Sequence, residues 1–368
     1  MLRILSALSC LLLCFPQGHA FAPAAKSRNV VLVTLDGVRW QEMFGGADPA
    51  VMKFLARGAP VEGTSLYRRY WAPTTEERRA KIMPFLWGTL LTQHAWIAGD
   101  PAKASHVESS NRFHTSYPGY AEILTGRAHD GVIVDNTKQR VPVPTVLEFV
   151  RRELRLPKSA VAVFASWDRF NDIVEHEPDA IVVNAGFAPY ASNDAALREL
   201  STAQAEMVAW PDERFDYPTQ RFALDYLRRE HPRLLYIGLG DTDDYAHDKK
   251  YELMLESLHR ADRFLAALWT QLQAMSSYRD NTVLIVTTDH GRGNMAEYWD
   301  THNEELTSAR NIWLAVAAPG DVRRGELEGG PTLYQHQIAA TIAQAFGLDF
   351  DRAYPGAGKP IPLPAGAP

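Results

Sequence analysis

Seven side chains able to ligate metal ions are scattered along the chain in short clusters: Asp36, Ser116, Asp243 with His247, Asp289 with His290, and His302. Carboxylate, imidazole and hydroxyl groups without sulfur suit divalent cations, and a serine among them adds a possible nucleophile. Asp243 and His247 are four residues apart, which on a helical turn puts both on one face. Such pairs also occur on solvated helix faces. Asp289-His290 closes an apolar run, where uncompensated charge is costly and a bound cation would compensate it; a capped turn is the plainer alternative. Asp36 before Gly37 is likewise compatible with an ordinary turn.

Ser116 opens the segment Ser116-Tyr117-Pro118-Gly119-Tyr120-Ala121-Glu122-Ile123-Leu124-Thr125-Gly126, which reads as a short helix with proline in its first turn and glycine at its end. The free N–H groups of its N-terminus favour an anion, although simple capping also accounts for the serine. To act as a nucleophile the hydroxyl needs a lowered pKa, which a neighbouring cation supplies.

The elements that must position these residues are visible as continuous apolar runs. Val30 to Leu35 leads into Asp36, Leu234 to Leu239 into Gly240-Asp241-Thr242-Asp243, and Val283 to Thr288 into Asp289. Short continuous runs bounded by glycine and aspartate read as central strands buried on both faces. Open α/β sheets bind ligands beyond the carboxyl ends of such strands, so residues remote in sequence can converge there. Helical patterns at Val146 to Leu154, Ala195 to Val208, Gln220 to Glu230, Tyr251 to Met275 and Gln335 to Phe346 alternate with further strand candidates at Ala160 to Ala165, Ala180 to Asn184 and Asn311 to Ala317. Thr145 is a plausible N-cap for the first of these helices. The alternation predicts a layered α/β fold.

The 368 residues carry a formal net charge of −6 and no basic block, so nothing points to a nucleic-acid-binding surface or a polybasic membrane anchor. Arg3, the apolar stretch Ile4 to Phe15 and Gly18-His19-Ala20 form the pattern of a secretory signal over 1–20. That stretch is short for a membrane span, which needs about 20 residues. The expectation is therefore an exported protein, periplasmic or extracellular, with no membrane span after processing. Cys10 and Cys14, the two cysteines, fall inside the signal, so the processed chain would form no disulfide or zinc–thiolate site.

A linker over 21–28, a single catalytic domain over 29–355 and a tail over 356–368 complete the expected organisation. Within the domain, the Trp- and Arg-rich segment 61–107 and the segment 186–218 are candidate caps over the pocket, or peripheral insertions.

The ordered set resembles the alkaline phosphatase superfamily, especially its nucleotide pyrophosphatase/phosphodiesterase-like branch: a strand ending in Asp36, Ser116 ahead of Tyr117-Pro118, then Asp243 to His247, Asp289-His290-Gly291, and finally His302. The resemblance runs through most of the chain after the signal. It implies an alkaline phosphatase-like fold with a central, largely parallel sheet flanked by helices. It further implies two divalent ions, one held by Asp243, His247 and His302 and the other by Asp36, Asp289 and His290 beside Ser116. The donors suit zinc, with manganese or another divalent ion as alternatives. Ser116 would attack phosphorus, and water would then cleave the phosphoserine. Asn136 stands about where that branch keeps a phosphate-contacting asparagine, and a local turn bond is its other reading.

Sulfatases of the superfamily carry an arginine four residues after the nucleophile, where this chain has Tyr120; sulfatase activity is not expected. Some monoesterases use a Lys-x-Arg pair to bind the extra phosphate charge. Here the matching stretch is Trp167-Asp168-Arg169, so Arg169 is a candidate phosphate contact, or a structural arginine, and the missing lysine favours phosphodiesters or nucleotides as the small phosphorylated substrate. A phosphomonoesterase is the alternative. A reading from another class is an inactive metal-binding protein that recognises a phosphorylated or carbohydrate ligand. The charged neighbours Asp241, Asp244, Asp248, Asp300, Arg127, Arg292, Glu122, His114 and His129 are expected to face solvent or to touch the site only indirectly.

Overall fold

The computed structural model describes residues 28–364; the expected signal at 1–20, nearly all of the linker and the last residues of the tail lie outside them. Strands are β1 (Asn29–Leu35), β2 (Ala95–Ala98), β3 (Val107–Glu108), β4 (Val161–Ala165), β5 (Val182–Ala185), β6 (Leu234–Leu239), β7 (Thr282–Thr287), β8 (Asn311–Ile312), β9 (Leu314–Ala317), β10 (Gly325–Glu326) and β11 (Leu333–Tyr334). Eight of them form one sheet in the order β10-β2-β9-β7-β1-β6-β4-β5, and β11-β3-β8 form a small second sheet.

The strands from β7 to β5 in that order run parallel, while β9 is antiparallel to both β7 and β2. The inner strands β1, β6 and β7 are buried along their whole length, which explains their unbroken apolar character. Successive residues feed opposite layers, as strand geometry requires. Val31, Val33 and Leu35 join a core with Phe222, Leu258 and Leu265, from helices Asp216–Glu230 and Tyr251–Ala274. Val30 and Leu32 join another with Ile123, Leu147 and Ile342, from helices Ser116–Thr125, Val146–Glu153 and Gln337–Ala345. Each such fully buried aliphatic side chain stabilises the fold by about 1.5–3 kcal/mol.

Local sequence fixes several boundaries. Thr145 caps its helix with Glu148 reciprocating, a complete capping box. Asp216–Glu230 starts one turn earlier than the apolar pattern from Gln220 suggests, because Pro218 lies in the first turn, where its missing N–H is harmless. The Ala195 helix stops at Ala203 and passes into the tighter turn Gln204–Glu206. The expected strand Asn311 to Ala317 divides at Trp313 into β8 and β9 of different sheets; the buried indole N–H is satisfied by the carbonyl of Val38.

The segment 61–107 departs from the cap reading. Ala95–Ala98 enters the central sheet as β2 between β9 and β10, and Leu66, Ile82, Leu86 and Leu90 pack into the core. Four residues between His94 and Gly99 are too short a run to stand out in sequence. In 186–218, Tyr190 and Leu197 also join the core.

Candidate active site

Three parallel neighbours, β6, β1 and β7, deliver their following residues to the same edge of the sheet. Asp36 follows β1; helix Asp241–His247 follows β6 after Gly240; Asp289 and His290 follow β7. Ser116 opens helix Ser116–Thr125 above them. Gly119 in that helix touches the Asp289 backbone so closely that an added Cβ would lie 2.4 Å from the Asp289 carbonyl oxygen. The glycine therefore permits the helix N-terminus to rest on the β7 loop.

All seven candidate ligands come together. One ligand atom each from Asp36, Asp289 and His290 lies within 4.8 Å of the others, as does one each from Asp243, His290 and His302. His247 Nε2 completes the second group at 3.1 Å from Asp243 Oδ2 and 3.0 Å from His302 Nε2. His290 Nε2 is 3.3 Å from Ser116 Oγ, 3.4 Å from Asp36 Oδ1, 3.3 Å from Asp289 Oδ2 and 3.8 Å from Asp243 Oδ1. It thus faces both groups rather than one alone.

The far atom of nearly every ligand is pinned by the fold. Tyr120 Oη donates to Asp36 Oδ2 at 2.7 Å. Gly37 N donates to Asp289 Oδ1 at 3.1 Å. His290 Nδ1 lies 2.9 Å from the Gly291 carbonyl and His302 Nδ1 2.8 Å from the His114 carbonyl, so each of these rings has its Nε2 turned to the cluster. The inward atoms Asp36 Oδ1 and Asp289 Oδ2 are buried without a hydrogen-bond partner. Buried carboxylate oxygens without donors are rare unless a cation serves them, so the donor set fits bound metal.

Electrostatics agree with that fit. Burial and then the neighbouring Asp36 charge push the Asp289 carboxyl up to about 8. Burial would lower the His290 imidazole, but Asp289 and Asp36 overcome it and raise the group to about 9. Burial, reinforced by His290, holds His302 well below its ordinary value. Facing carboxylates with free oxygens make this a place that favours cations.

The two candidate substrate contacts differ. Asn136 Oδ1 accepts the N–H of Tyr117 at 2.9 Å, next to Ser116; its amide NH2 remains as a donor beside the nucleophile. Arg169 Nη1 is paired with Asp168 at 2.6 Å, its Nη2 lies 3.8 Å from Asp212, and its Nε reaches the Asn136 carbonyl at 3.4 Å. Its charge is already met by two carboxylates. Trp167 is tied to the same Asp212 through its indole N–H at 3.1 Å.

Several of the charged neighbours expected to touch the site only indirectly do so from buried positions. Arg292 is buried and touches the Asp243 carboxylate. Glu122 is fully buried and accepts from Ser110 N, Asn111 N and Asn111 Nδ2, holding the loop that leads to Ser116. Asp241 and Asp244 sit in a buried carboxylate group with Glu213 and Asp216; burial raises all four, and Asp216 reaches about 6. Asp216 Oδ1 accepts Gly240 N at 2.8 Å, fixing the turn into helix Asp241–His247. Tyr120, Glu213 and Asp216 carry no motif signal: Tyr120 reads as a core aromatic, and Asp212-Glu213-Arg214 reads as a solvated charged stretch.

Comparison with known structures places this architecture among alkaline phosphatase-like folds. The lipoteichoic acid synthase LtaP from Listeria monocytogenes is similar with a TM-score of 0.52 at 13% identity, over 89% of this chain and 73% of that one. The phosphonate monoester hydrolase of Agrobacterium radiobacter gives 0.51 at 11%, over 87% and 74%. A murine ectonucleotide pyrophosphatase/phosphodiesterase 5, solved as an inactive variant with AMP, gives 0.50 at 12%, over 87% and 95%. A search of curated proteins by sequence finds no match. The family model for type I phosphodiesterase/nucleotide pyrophosphatase matches residues 68–341, more than half of the chain, and the protein belongs to that family. It is accordingly a hydrolase of the phosphodiesterase type.

Proposed function

We propose that this chain is an exported phosphoric-ester hydrolase that works through a phosphoserine on Ser116, with phosphodiesters or nucleotides preferred over monoesters. The observation that carries the reading is the convergence of Asp36, Asp289, His290, Asp243, His247 and His302 around the Ser116 hydroxyl, which lies 3.3 Å from His290 Nε2. Asp36, Asp289, His290 and Ser116 would hold one divalent ion and Asp243, His247 and His302 a second, and the nitrogen and oxygen donors suit zinc. Two such ions supply the pull that lowers the serine pKa and stabilises the leaving oxygen.

The chain's own residues do the rest. The N-terminus of helix Ser116–Thr125 presents Ser116, while the N–H groups of Tyr117 and Gly119 are taken up by Asn136 Oδ1 and the Thr115 carbonyl. Asn136, oriented by Tyr117 N, donates its amide to a non-bridging oxygen. Ser116 Oγ forms the bond to phosphorus as the leaving-group oxygen departs; water then displaces the serine and restores the hydroxyl. With Arg169 paired to Asp168 and near Asp212, that arginine is not free to meet the second charge of a monoester, which supports the diester preference. The AMP-bound neighbour is consistent with a nucleotide substrate. Tyr120 stands where a sulfatase arginine would be and is committed to Asp36, which argues against sulfate esters.

Hydrolysis of paired aryl phosphate monoester and diester substrates by the purified chain tests this. The diester is expected to turn over faster, chelation to abolish turnover, zinc to restore it, and Ser116→Ala to remove it while zinc binding persists. Full activity in Ser116→Ala, or turnover indifferent to chelation, overturns the mechanism.

A further inference from the structure

Arg292 is an arginine that the backbone builds into the ligand cluster. Its Nε donates to the Gly37 carbonyl at 3.0 Å, Nη1 to the Asp300 carbonyl at 2.8 Å, and Nη2 to the Asp243 carbonyl at 3.3 Å as well as to Asp243 Oδ1. The side chain is 1% exposed. Each of those three carbonyls lies on a segment that carries candidate ligands, and Arg292 itself is two residues from His290. The guanidinium therefore cannot swing away from Asp243 without breaking bonds to three loops. Gly37, at φ +60°, lets it approach; an added Cβ would stand 2.7 Å from Arg292 Nη2 and 2.4 Å from Asp243 Oδ1.

The consequence is an imbalance between the two ligand groups. Asp36 and Asp289 bring two carboxylates, each with an unpartnered oxygen. Asp243, His247 and His302 bring one carboxylate, and Arg292 already offsets its charge. The nearby Asp300 carboxylate does not neutralise Arg292 in turn, being engaged by Lys249 at 3.5 Å. We propose that Arg292 is a positioning residue and fixed charge that makes the Asp243/His247/His302 group the weaker of the two cation sites, so that the chain binds its two ions unequally. A guanidinium keeps its proton in proteins, so Arg292 is charged at neutral pH. The inference rests on the two-metal reading given above. A merely mechanical brace would hold both groups together and would not discriminate between them.

The test is titration of the chelator-stripped full chain with Zn2+ against a chromogenic chelator, with thermal unfolding of each variant as a check on folding. Wild type is expected to show two classes of site, and His247→Ala to lose only the weaker. Arg292→Gln, which removes the charge but keeps donors, is expected to tighten the weaker class about tenfold, the scale of one screened contact between unit charges. Arg292→Lys keeps the charge and is expected to keep the gap. Two classes of equal affinity in wild type, loss of the tighter class in His247→Ala, or equal weakening of both classes by Arg292→Gln overturns the inference. If the Arg292 variants do not fold, wild type and His247→Ala decide it alone. No zinc uptake by wild type would sink the two-metal reading itself, whereas two equal sites sink only the inference.

Discussion

Replacing Tyr120 by Phe isolates one oxygen atom. The ring is 1% exposed and sits edge-on against Phe170, with centroids 4.7 Å apart at 60°, so phenylalanine keeps the packing. What disappears is the 2.7 Å donation to Asp36 Oδ2, the bond that turns Oδ1 of the same carboxylate toward His290. A hydrogen bond to a charged group contributes about 1.5–3 kcal/mol, and the acceptor left behind is 6% exposed and hard for water to reach. Spread over the orientation of a metal-ligating carboxylate, that loss corresponds to roughly 10–100-fold weaker ion binding. Zinc titration of Tyr120→Phe, alongside Ser116→Ala, is the assay. The tyrosine variant is expected to bind zinc more weakly and to recover turnover as zinc is raised, whereas the serine variant binds zinc and stays inactive. Unchanged zinc affinity in Tyr120→Phe would refute the argument that this hydroxyl sets the carboxylate's aim.

Gly119→Ala is expected to disrupt the site without touching a ligand, since the new Cβ meets the Asp289 carbonyl at 2.4 Å and backbone must move; lowered zinc affinity with an intact far-UV circular dichroism spectrum is the sign to look for. Arg39→Met leaves Glu42 buried beside Asp48 without its guanidinium, and chemical denaturation should show a loss of about 3–5 kcal/mol. Burial and then Arg127 lower His129 to about 4 against an ordinary 6.5. Its folded pKa being depressed, the unfolded chain takes up the proton first. Its stabilising contribution is complete above pH 6.5 and is lost as pH falls toward 4. Urea midpoints across that window should fall less steeply in His129→Gln than in wild type, and parallel curves would contradict the assignment.

The strands beneath the site are legible in sequence because burial on both faces leaves an unbroken apolar signature that must end at a polar turn, as at Leu35-Asp36 and Thr287-Thr288-Asp289. The resemblance carried by their order then groups Asp36, Asp243, His247, Asp289, His290 and His302, and the structure does bring them together. The supporting shell is not legible in the same way. Arg292 lies between glycines, where a charged side chain reads as solvated, and only the convergence of three distant carbonyls shows that it is buried. Tyr120 looks like a core aromatic until its hydroxyl is seen on Asp36. His114 serves through its backbone carbonyl, to which side-chain identity gives no clue. The short β2 is invisible because four residues cannot establish a period, and its place in the sheet comes from pairing with β9. Glu122 is hidden by the same logic as Arg292: three donors from one loop make a buried acid tolerable.

The position of β1 between β6 and β7 has a temporal side. Its neighbours are the sixth and seventh strands in chain order, so the strand that carries Asp36, the first candidate ligand in the chain, has nothing on either side until residues 234–239 and 282–287 exist to flank it. His302 comes later still. No partial chain emerging from a ribosome can assemble the whole cluster, and any ion capture there would follow near-complete folding. The same arrangement makes a bound ion a clasp on the middle of the sheet rather than on its edge: chelation should be felt first where the fold is otherwise most strongly paired.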